Sequence, residues 1–401
     1  MSISTRKLRN IFKLTTIEDT DSNDDSPRST SWLPLAQKFN PVIPSAIIYC
    51  EGNFAKTDGK TANGLVRHSL NYRIQSVIDS EYAGLDAGEV LDNKTNGIPI
   101  VANIEEAIIE AESVSDYFIF GIAPTSGCLS DLDKSIILHA MSLKMNIVSG
   151  LHEFLTDDPL FLEASIKYNV KIFDIRKPKD KRELETFSGK IHDVKCPRIA
   201  VMGTDCAIGK RTTATILTKE LSSKGLKVIL IATGQTSIIQ GAQYCVALDA
   251  VPSQFCAGEL ESVILQAYEN EKPDLIVIEG QGALSHPAFS TSAFILRGSC
   301  PTGVILQHAP KRLYRSDFPD YPVPSIASEI NLIETFSNTS VIGLTLNHEG
   351  MTLEETRSHI DNYTAEFGLT VTDALTQPVQ HLTHMVASAF PQIASKLAEK
   401  R

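Results

Sequence analysis

Short apolar runs alternate with longer amphipathic stretches along the chain from about residue 45. The runs of the first half include AIIYC, RIQSVIDS, DYFIFG, NIVSGL and VKIFDI, and stretches such as IEEAIIEAES carry apolar residues at helical spacing. Short β-rich runs separated by helices of this length form parallel β-α-β units. The pattern therefore predicts an α/β fold, with a Rossmann-like parallel sheet domain over residues 45–178.

A second α/β domain is predicted over residues 197–401. Residues 179–196 are polar and charged and lie between Pro178 and Pro197, which is typical of a linker between domains. After the linker, RIAVM predicts a strand that leads into a glycine-rich loop, and KRTTATILTKELSSKG predicts an amphipathic helix. The further strands LKVILIATG, DLIVIEG, GVILQHA and SVIGLTLN indicate a P-loop NTPase-like domain.

Residues 1–44 differ in character from the rest of the chain. Their stretch EDTDSNDDSPRSTS is acidic and rich in serine and contains no large apolar side chain. Such a segment cannot offset its ordering entropy by burial. We therefore expect these residues to form a mobile N-terminal extension.

Composition and charge restrict the classes of partner. The chain has 401 residues, 42% of them hydrophobic, which is enough for two cores. Its net charge of -11 repels nucleic acid and anionic membrane surfaces, so neither is expected as a partner. The seven cysteines contain no C-x-x-C pair, and no apolar run is long enough to span a bilayer. These features predict a cytoplasmic protein with reduced thiols, and we expect a homo-oligomer that acts on a small molecule.

The most informative motif is VMGTDCAIGKRTT, residues 201–213. A strand, a glycine-rich turn and a helix that begins at a lysine form an anion site, so the motif predicts phosphate binding. The predicted cofactor-binding residues are Gly203, Thr204, Asp205, Cys206, Ala207, Ile208, Gly209, Lys210, Arg211, Thr212 and Thr213.

This motif departs from the usual G-x-x-x-x-G-K-[ST] pattern in two ways. Five residues separate Gly203 from Gly209, and Arg211 occupies the position of the Mg²⁺-binding hydroxyl. The first hydroxyl is moved to Thr212, about 100° around the helix. Phosphate binding is compatible with these changes, whereas metal-assisted phosphoryl transfer is not favoured. We therefore expect no bound metal.

Two side chains in the stretch PDLIVIEGQGALSHPAF are candidates for proton transfer. Glu279 ends a predicted strand and is interpreted as a general base, a Mg²⁺ ligand or a carboxylate that hydrogen-bonds its own glycine-rich turn. His286 follows in a loop, and its unperturbed pKa near neutral suits proton abstraction from an amine. The alternative for His286 is an ordinary loop histidine.

Cations elsewhere are candidates for binding a substrate. Lys311, Arg312 and Arg315 lie close together in HAPKRLYRSDFPDYP. Such a group is able to hold carboxylates or phosphates, although the same pattern is also typical of a solvated charged loop.

The first predicted domain has its own candidate cradle. The stretch EGNFAKTDGKTANGLVRHS follows a strand and opens a helix, so Lys60, Thr61, Asn63 and Gly64 are predicted to contact a ligand. Asp79 ends the next strand, where a ribose-reading acid lies in dinucleotide-binding folds. Because the stretch is not G-x-G-x-x-G, bound NAD is not favoured.

The motifs together resemble a known family. They are YCEGNFAKTDGKTANGLVRHS, VIDSEYAGLDAGEVLD, GIAPTSG, MGTDCAIGKRTT, ATGQTSI, EGQGALSHPA and FPDYPVPS, and they extend over about residues 45–390. The chain resembles the D-glutamate N-acetyltransferase (DgcN-like) family, formerly a bacterial domain of unknown function. The resemblance implies a Rossmann-like domain followed by a P-loop domain, and transfer of acetyl from acetyl-CoA to the amine of D-glutamate. Coenzyme A carries phosphates that need a cradle, but no phosphoryl bond is broken, so a Mg²⁺ hydroxyl is unnecessary.

Two other functions remain open from the residues alone. The loop spacing also resembles dethiobiotin synthetase and related ligases, in which ATP and Mg²⁺ would bind near Lys210, Thr212 and Glu279. A non-catalytic nucleotide-sensing module would use the same loop without turnover.

Overall fold

The structure is a computed structural model that describes residues 43–124 and 127–399. Apart from its last two residues, the predicted mobile extension lies outside the described residues. The described chain divides into two compact units. Unit 1 contains the residues up to Lys179 together with Ile239–Gly241, and unit 2 contains Asp180–Ile238 and the residues from Ala242 onward.

Unit 1 is built around a six-stranded parallel sheet. Its strands are β1 (Ser45–Tyr49), β2 (Arg73–Ile78), β3 (Ile100–Val101), β4 (Tyr117–Phe120), β5 (Asn146–Ser149) and β6 (Ile172–Asp174). Its helices are α1 (Lys60–Arg67), α2 (Ala87–Asp92), α3 (Ile104–Ala111), α4 (Asp131–Ser142) and α5 (Pro159–Tyr168). The strand order β3-β2-β1-β4-β5-β6 is that of the dinucleotide-binding fold, so the Rossmann-like prediction is confirmed.

The apolar strands of unit 1 reflect burial on both faces of its sheet. Ile47 and Tyr49 of β1 pack into one core, whereas Ala46 and Ile48 pack into the other. Parallel sheets that are covered by helices on both sides read as continuous apolar runs, as AIIYC does.

Unit 2 contains a seven-stranded parallel sheet and a short antiparallel hairpin. The sheet strands are β7 (Arg198–Gly203), β8 (Val228–Ala232), β9 (Tyr244–Cys245), β10 (Leu275–Glu279), β11 (Gly303–His308), β14 (Val341–Leu346) and β15 (Thr370–Asp373). They are arranged in the order β15-β14-β11-β7-β10-β8-β9, and β12 (Tyr314–Arg315) pairs with β13 (Phe318–Pro322) in the hairpin. This unit is the predicted P-loop domain.

The helices of unit 2 cover both faces of its sheet. They are α6 (Lys210–Ser223), α8 (Ser253–Glu271), α9 (Thr291–Ser299), α10 (Ile326–Ser337), α11 (Leu353–Phe367), α12 (Gln380–Ala389) and α13 (Pro391–Glu399), together with the first four residues of α7 (Gln235–Gln240), whose last two residues belong to unit 1. Ala200 and Met202 of β7 pack into one core, and Ile199 and Val201 into the other. Among the described residues of both units, no helix combines the length and the apolar character needed to cross a membrane.

Of residues 179–196, which the sequence predicts as a linker, all but Lys179 belong to unit 2. Ile191 and Val194 are buried in its core. Buried carboxylates of α8 accept the backbone amides of this segment: Glu259 accepts from Glu185 at 2.7 Å, and Glu261 accepts from Ile191 at 3.0 Å. Glu261 also accepts from the amide of Ser188 at 2.6 Å. The segment is therefore part of the folded unit.

The strand order positions a site at one edge of this sheet. The strands β10, β7 and β11 are neighbours and run parallel, so their carboxyl ends meet there. These ends carry Glu279, Gly203 and His308. Ligands of open α/β sheets bind beyond the carboxyl ends of the strands.

Candidate functional site

Residues 203–209 form the turn between β7 and α6. Ala207 and Gly209 have left-handed backbone conformations, with φ of 48° and 100°. A Cβ at position 203 would lie 2.8 Å from Ile208 Cδ1 and 2.9 Å from Lys210 Cδ. The turn therefore needs both glycines, Gly209 for its conformation and Gly203 for the close approach of the lysine. Together with the start of a 14-residue helix, it has the form of an anion cradle.

Lys210 begins α6 and is directed back into the loop. It is 6% exposed, and its Nζ donates a hydrogen bond to the carbonyl oxygen of Asp205 at 2.5 Å. Burial lowers the pKa of Lys210, because the ammonium loses hydration. A bound anion would compensate this buried charge, so the side chain fits the predicted phosphate-binding role.

Asp205 holds the loop to the segment that follows β11. It is fully buried, and its Oδ2 accepts from Arg312 Nη1 at 3.0 Å and from the amide of Ser316 at 2.9 Å. Arg312 Nη1 also donates to the carbonyl oxygen of Cys206 at 2.7 Å, and its Nη2 pairs with Glu349. Arg312 therefore braces the loop from outside.

Arg315 is a second buried brace of the same loop. Its Nη1 donates to the carbonyl oxygen of Thr204 at 3.4 Å, and its Nη2 donates to Ser285 Oγ at 3.0 Å. Lys311 lies elsewhere and forms an exposed ion pair with Glu355 at 2.6 Å. The structure thus brings two of the three predicted cations to the loop, where they contact protein groups, and leaves Lys311 at the surface.

The three residues after Lys210 differ in role: Thr213 contacts the sheet, and Arg211 acts on the candidate site. Thr213 is buried and donates to Gln307 Oε1 at 2.7 Å, so it contributes to the packing of α6 on β11. Thr212 and Arg211 are partly buried. The charge of Arg211 opposes the rise in the pKa of Glu279, so the guanidinium acts electrostatically on the carboxylate that the ATP-dependent alternative assigns to Mg²⁺.

Glu279 is buried at the end of β10. Its Oε2 accepts from the amide of Thr233 at 3.1 Å, and its backbone carbonyl accepts from the Thr233 hydroxyl at 2.9 Å. Burial raises the pKa of Glu279, and the charge of Arg211 opposes this rise. A carboxylate with a raised pKa is suited to accept a proton near neutral pH.

His286 is 7% exposed and is held by its own loop. Its Nδ1 lies 3.3 Å from the amide nitrogen of Ala288 and 3.2 Å from that of Phe289, both of which donate to it. Its ring stacks on that of Phe289, with 4.5 Å between centroids. Burial lowers the pKa of His286, so the neutral imidazole is favoured. Because Nδ1 accepts, the proton of the neutral ring resides on Nε2.

Asp205, Cys206 and His286 approach one another closely. A carboxylate oxygen, the Cys206 Sγ and an imidazole nitrogen all lie within 4.8 Å of one another. The set does not fit a divalent cation. A histidine that binds a metal through one ring nitrogen donates the N–H of the other to a partner. In His286, Nδ1 instead accepts hydrogen bonds from two backbone amides, so Nε2 carries the proton and has no lone pair for a metal. Burial also raises the pKa of the Cys206 thiol to about 12, which opposes the thiolate that a metal requires.

Several residues that support the loop are not evident from the sequence. Asn347 Nδ2 donates to the carbonyl oxygen of Ile208 at 3.2 Å. Glu329 Oε1, fully buried, accepts from the amides of Leu284 and Ser285 at 2.7 and 3.3 Å. The available signal is an acidic residue on the apolar face of a helix, since Glu329 lies three positions after Ile326 and four before Ile333.

The candidate residues of unit 1 lie around the start of α1. Lys60 is exposed, Thr61 is buried, and Asn63 is partly buried. The Oδ1 atom of Asn63 is itself buried, and within residues 43–124 and 127–399 it has no hydrogen-bond partner. Gly64 is buried in the same helix.

Asp79 has a structural role in unit 1. It is fully buried, and its two oxygens accept from the amides of Phe54 and Glu81 at 2.9 and 3.0 Å. Because these bonds hold the turn after β1 and the turn after β2, the carboxylate does not fit the ribose-reading position that the sequence suggests.

Comparison with known proteins gives consistent matches in both units. The family model described as the DUF1611 C-terminal P-loop domain matches residues 185–383, and the DUF1611 N-terminal Rossmann-like domain matches residues 80–178. The D-glutamate N-acetyltransferase of a Pseudoalteromonas species is 32% identical over 308 residues, which are 75% of this chain and 90% of that protein. The D-glutamate N-acetyltransferase of Tritonibacter scottomollicae is 28% identical over 261 residues, 64% of this chain and 76% of that protein.

A solved structure is also similar to this chain. The crystal structure of a DUF1611 family protein from Anabaena variabilis has a TM-score of 0.80 and 30% sequence identity. The match covers 86% of this chain and 99% of that protein.

Proposed function

The chain belongs to the DUF1611 family and is similar to two D-glutamate N-acetyltransferases, and we propose that it transfers an acetyl group from acetyl-CoA to the amine of D-glutamate. The named activity of two relatives, each aligned over most of its length, supports amine acetylation as the reaction class. The donor and the acceptor are our proposal.

One observation carries the choice of donor. The loop keeps the glycines and the buried Lys210 that phosphate binding requires, whereas Arg211 stands where a P-loop enzyme places its Mg²⁺ hydroxyl. Coenzyme A presents a pyrophosphate and a 3′-phosphate, and its phosphoryl bonds stay intact during acetyl transfer. A phosphate cradle without a metal site is what such a donor requires.

The reaction needs one proton acceptor. The amine nitrogen attacks the thioester carbonyl, a C–N bond forms and the C–S bond breaks. The proton that the nitrogen loses after the attack passes to the leaving sulfur, so coenzyme A leaves as the thiol. The substrate ammonium must first lose a proton, and we assign this step to Glu279, whose raised pKa suits it. His286, the other predicted base, presents a protonated Nε2 and is not suited to accept at that atom. Backbone amides of the turn that follows Glu279 would stabilise the oxyanion.

The residues at the start of α1 are proposed as a ligand site of unit 1, taken by itself. Lys60 offers an exposed cation for a carboxylate, and Thr61 and Asn63 Oδ1, which has no hydrogen-bond partner among the described residues, offer polar contacts. A Lys60→Ala variant is expected to bind D-glutamate about tenfold more weakly in calorimetry. Coenzyme A binding by the same variant is the control, and unchanged D-glutamate binding would argue against this location.

The activity is tested by the release of free thiol. Purified protein with acetyl-CoA is offered D-glutamate, L-glutamate and D-aspartate, and mass spectrometry identifies the product. We expect N-acetyl-D-glutamate to form fastest. Absence of thiol release with every amino acid would reject the proposal.

The ATP-dependent alternative is tested by calorimetry with ATP and Mg²⁺. Binding that depends on Mg²⁺, together with ADP release on adding an amino acid, would replace acetyl transfer with ligase chemistry. If ATP or coenzyme A binds and no product forms with any amino acid, the third alternative, a non-catalytic nucleotide-sensing module, would be favoured.

A further inference from the structure

The Nε2 atom of His286 is a buried hydrogen-bond donor without an acceptor. His286 is 7% exposed, and within the described parts of the chain Nε2 has no hydrogen-bond partner. The amides of Ala288 and Phe289 occupy Nδ1, so Nε2 must carry the proton of the neutral ring. Buried polar atoms in native proteins are almost always paired, so each exception needs an explanation, and a bound ligand or water is one.

The donor lies against the phosphate loop. A nitrogen of the ring is within 4.8 Å of both the Asp205 carboxylate and the Cys206 Sγ. Arg315 joins the two segments, because it donates to the carbonyl of Thr204 and to Ser285, the residue before His286. The imidazole is therefore held against the loop 203–210.

The surrounding charges keep this imidazole neutral. Burial and the cations Arg315 and Lys210 disfavour a second proton, while Asp205 and Asp317 favour it, and the balance lowers the pKa of His286. A second proton would also have to occupy Nδ1, where two backbone amides already point. A neutral ring with a fixed tautomer is suited to donate a hydrogen bond and unsuited to remove a proton at Nε2.

We propose that His286 is a phosphate-binding residue, whose Nε2–H donates a hydrogen bond to an oxygen of the phosphate ester or pyrophosphate held by the loop 203–210. This deepens the proposed function, in which the phosphates belong to coenzyme A. It assigns His286 to binding and leaves proton removal to another group.

Two substitutions separate the two nitrogens. In His286→Asn, the side-chain oxygen lies near the position of Nδ1 and keeps the acceptor for the two amides, but the donor is lost. In His286→Gln, the side-chain amide reaches the position of Nε2 and keeps the donor, but the anchor is lost. We expect the Asn variant to melt near the wild-type temperature and to bind coenzyme A about 10- to 100-fold more weakly. We expect the Gln variant to keep affinity within a few-fold and to melt at a lower temperature.

A catalytic base would behave differently. If both variants bind coenzyme A as the wild type does while kcat falls about 100-fold or more, the binding role is wrong. A change in KM with kcat preserved in the Asn variant supports it.

A second measurement does not depend on acetyl transfer. In the full-length chain with ¹⁵N-labelled histidine, the resonances of His286 are identified by their loss in the Asn or Gln variant. We expect a protonated Nε2 and an unprotonated Nδ1 from pH 6 to 8. An imidazolium or an Nδ1–H tautomer in this range would overturn the inference.

Inorganic pyrophosphate as a probe distinguishes failure of the inference from failure of the proposed function. If the wild type binds pyrophosphate but not coenzyme A, and the Asn variant is weakened, His286 keeps its role and only the coenzyme is wrong. If neither compound binds the wild type, the inference fails as well.

Discussion

The substitution Asp205→Asn tests whether the loop is held by a buried charge. Asp205 is fully buried, and its Oδ2 accepts from Arg312 and from the amide of Ser316. Arg315 Nη1 is 3.8 Å from the other oxygen. Asparagine keeps the shape and one acceptor but removes the negative charge, so two nearly buried guanidinium groups lose their common counter-ion.

The expected loss of stability follows from that burial. Removing one partner of a buried ion pair costs about 3–5 kcal/mol, because the remaining charge stays desolvated. The lower end applies here, since Arg312 keeps its second carboxylate, Glu349. A loss of about 3 kcal/mol lowers the Tm of a unit of this size by roughly 6–12 °C.

The matched control is Glu349→Gln, which removes the other carboxylate of the same arginine. The side chain of Glu349 is 52% exposed, so its pair with Arg312 contributes at most about 1 kcal/mol, or roughly 2–4 °C in Tm. Both variants are melted by calorimetry at low and high salt. We expect the effect of Glu349→Gln to shrink with salt and that of Asp205→Asn to persist. Equal changes in Tm for the two variants would refute the reasoning.

Three further predictions concern single side chains of unit 2. Lys210→Ala is expected to weaken coenzyme A binding about 10- to 100-fold in calorimetry, whereas Lys311→Ala, which breaks only an exposed ion pair, should leave it within about twofold. Burial raises the pKa of Glu279 in the folded state, so the unfolded chain releases this proton at a lower pH than the folded chain does. The wild type therefore loses stability as the pH rises above the pKa of a glutamate in an unfolded chain. Glu279→Gln should therefore melt higher than the wild type at pH 8 and approach it near pH 4, and a gap independent of pH would contradict this. Burial lowers the pKa of His308 from 6.5 to about 4, so the unfolded chain binds the extra proton first and the wild type loses stability as the pH falls through this window. His308→Gln should flatten the dependence of Tm on pH between 6.5 and 4, and an unchanged slope would reject this origin.

The parts of the fold that depend on local pattern could be predicted from the sequence. The apolar runs predict β1, β2, β4, β5 and β6 of unit 1 and β7, β8, β10, β11 and β14 of unit 2, whereas the short strands β3 and β9, the strand β15 and the hairpin β12–β13 are not predicted. The glycines and lysine of the loop predict a strand, a turn and a helix start. The sequence predicts Glu279 at the end of a strand, and it is the last residue of β10. These features depend on residues that are close together in the chain.

The parts that depend on distant partners could not be predicted. The sequence pattern around Arg312 and Arg315 is also typical of a solvated charged loop. Only the fold brings the two side chains to Asp205, which lies more than 100 positions earlier in the chain. Likewise, the role of Glu329 in holding the loop at Leu284 requires the packing of α10. Long-range pairing of buried charges has no local signature.

The tautomer of His286 is a similar case. Its loop position in SHPAF is compatible with a base, a donor or neither. The distinction arises from two backbone amides that the loop directs at Nδ1. Side-chain chemistry alone therefore leaves the direction of the hydrogen bond undetermined.

The contacts of Glu259 and Glu261 determine how the chain can be dissected. A fragment that starts at the strand β7 would lack the amides at residues 185, 188 and 191, and Glu261 would lose both amides that it accepts from. The backbone of Glu185 also packs directly on α8 at Gly258, because a Cβ at position 258 would lie 2.2 Å from the carbonyl oxygen of Glu185. Protease cleavage between 179 and 184 should therefore leave the amide contacts of Glu259 and Glu261 intact, whereas a fragment trimmed to residue 197 should be degraded further.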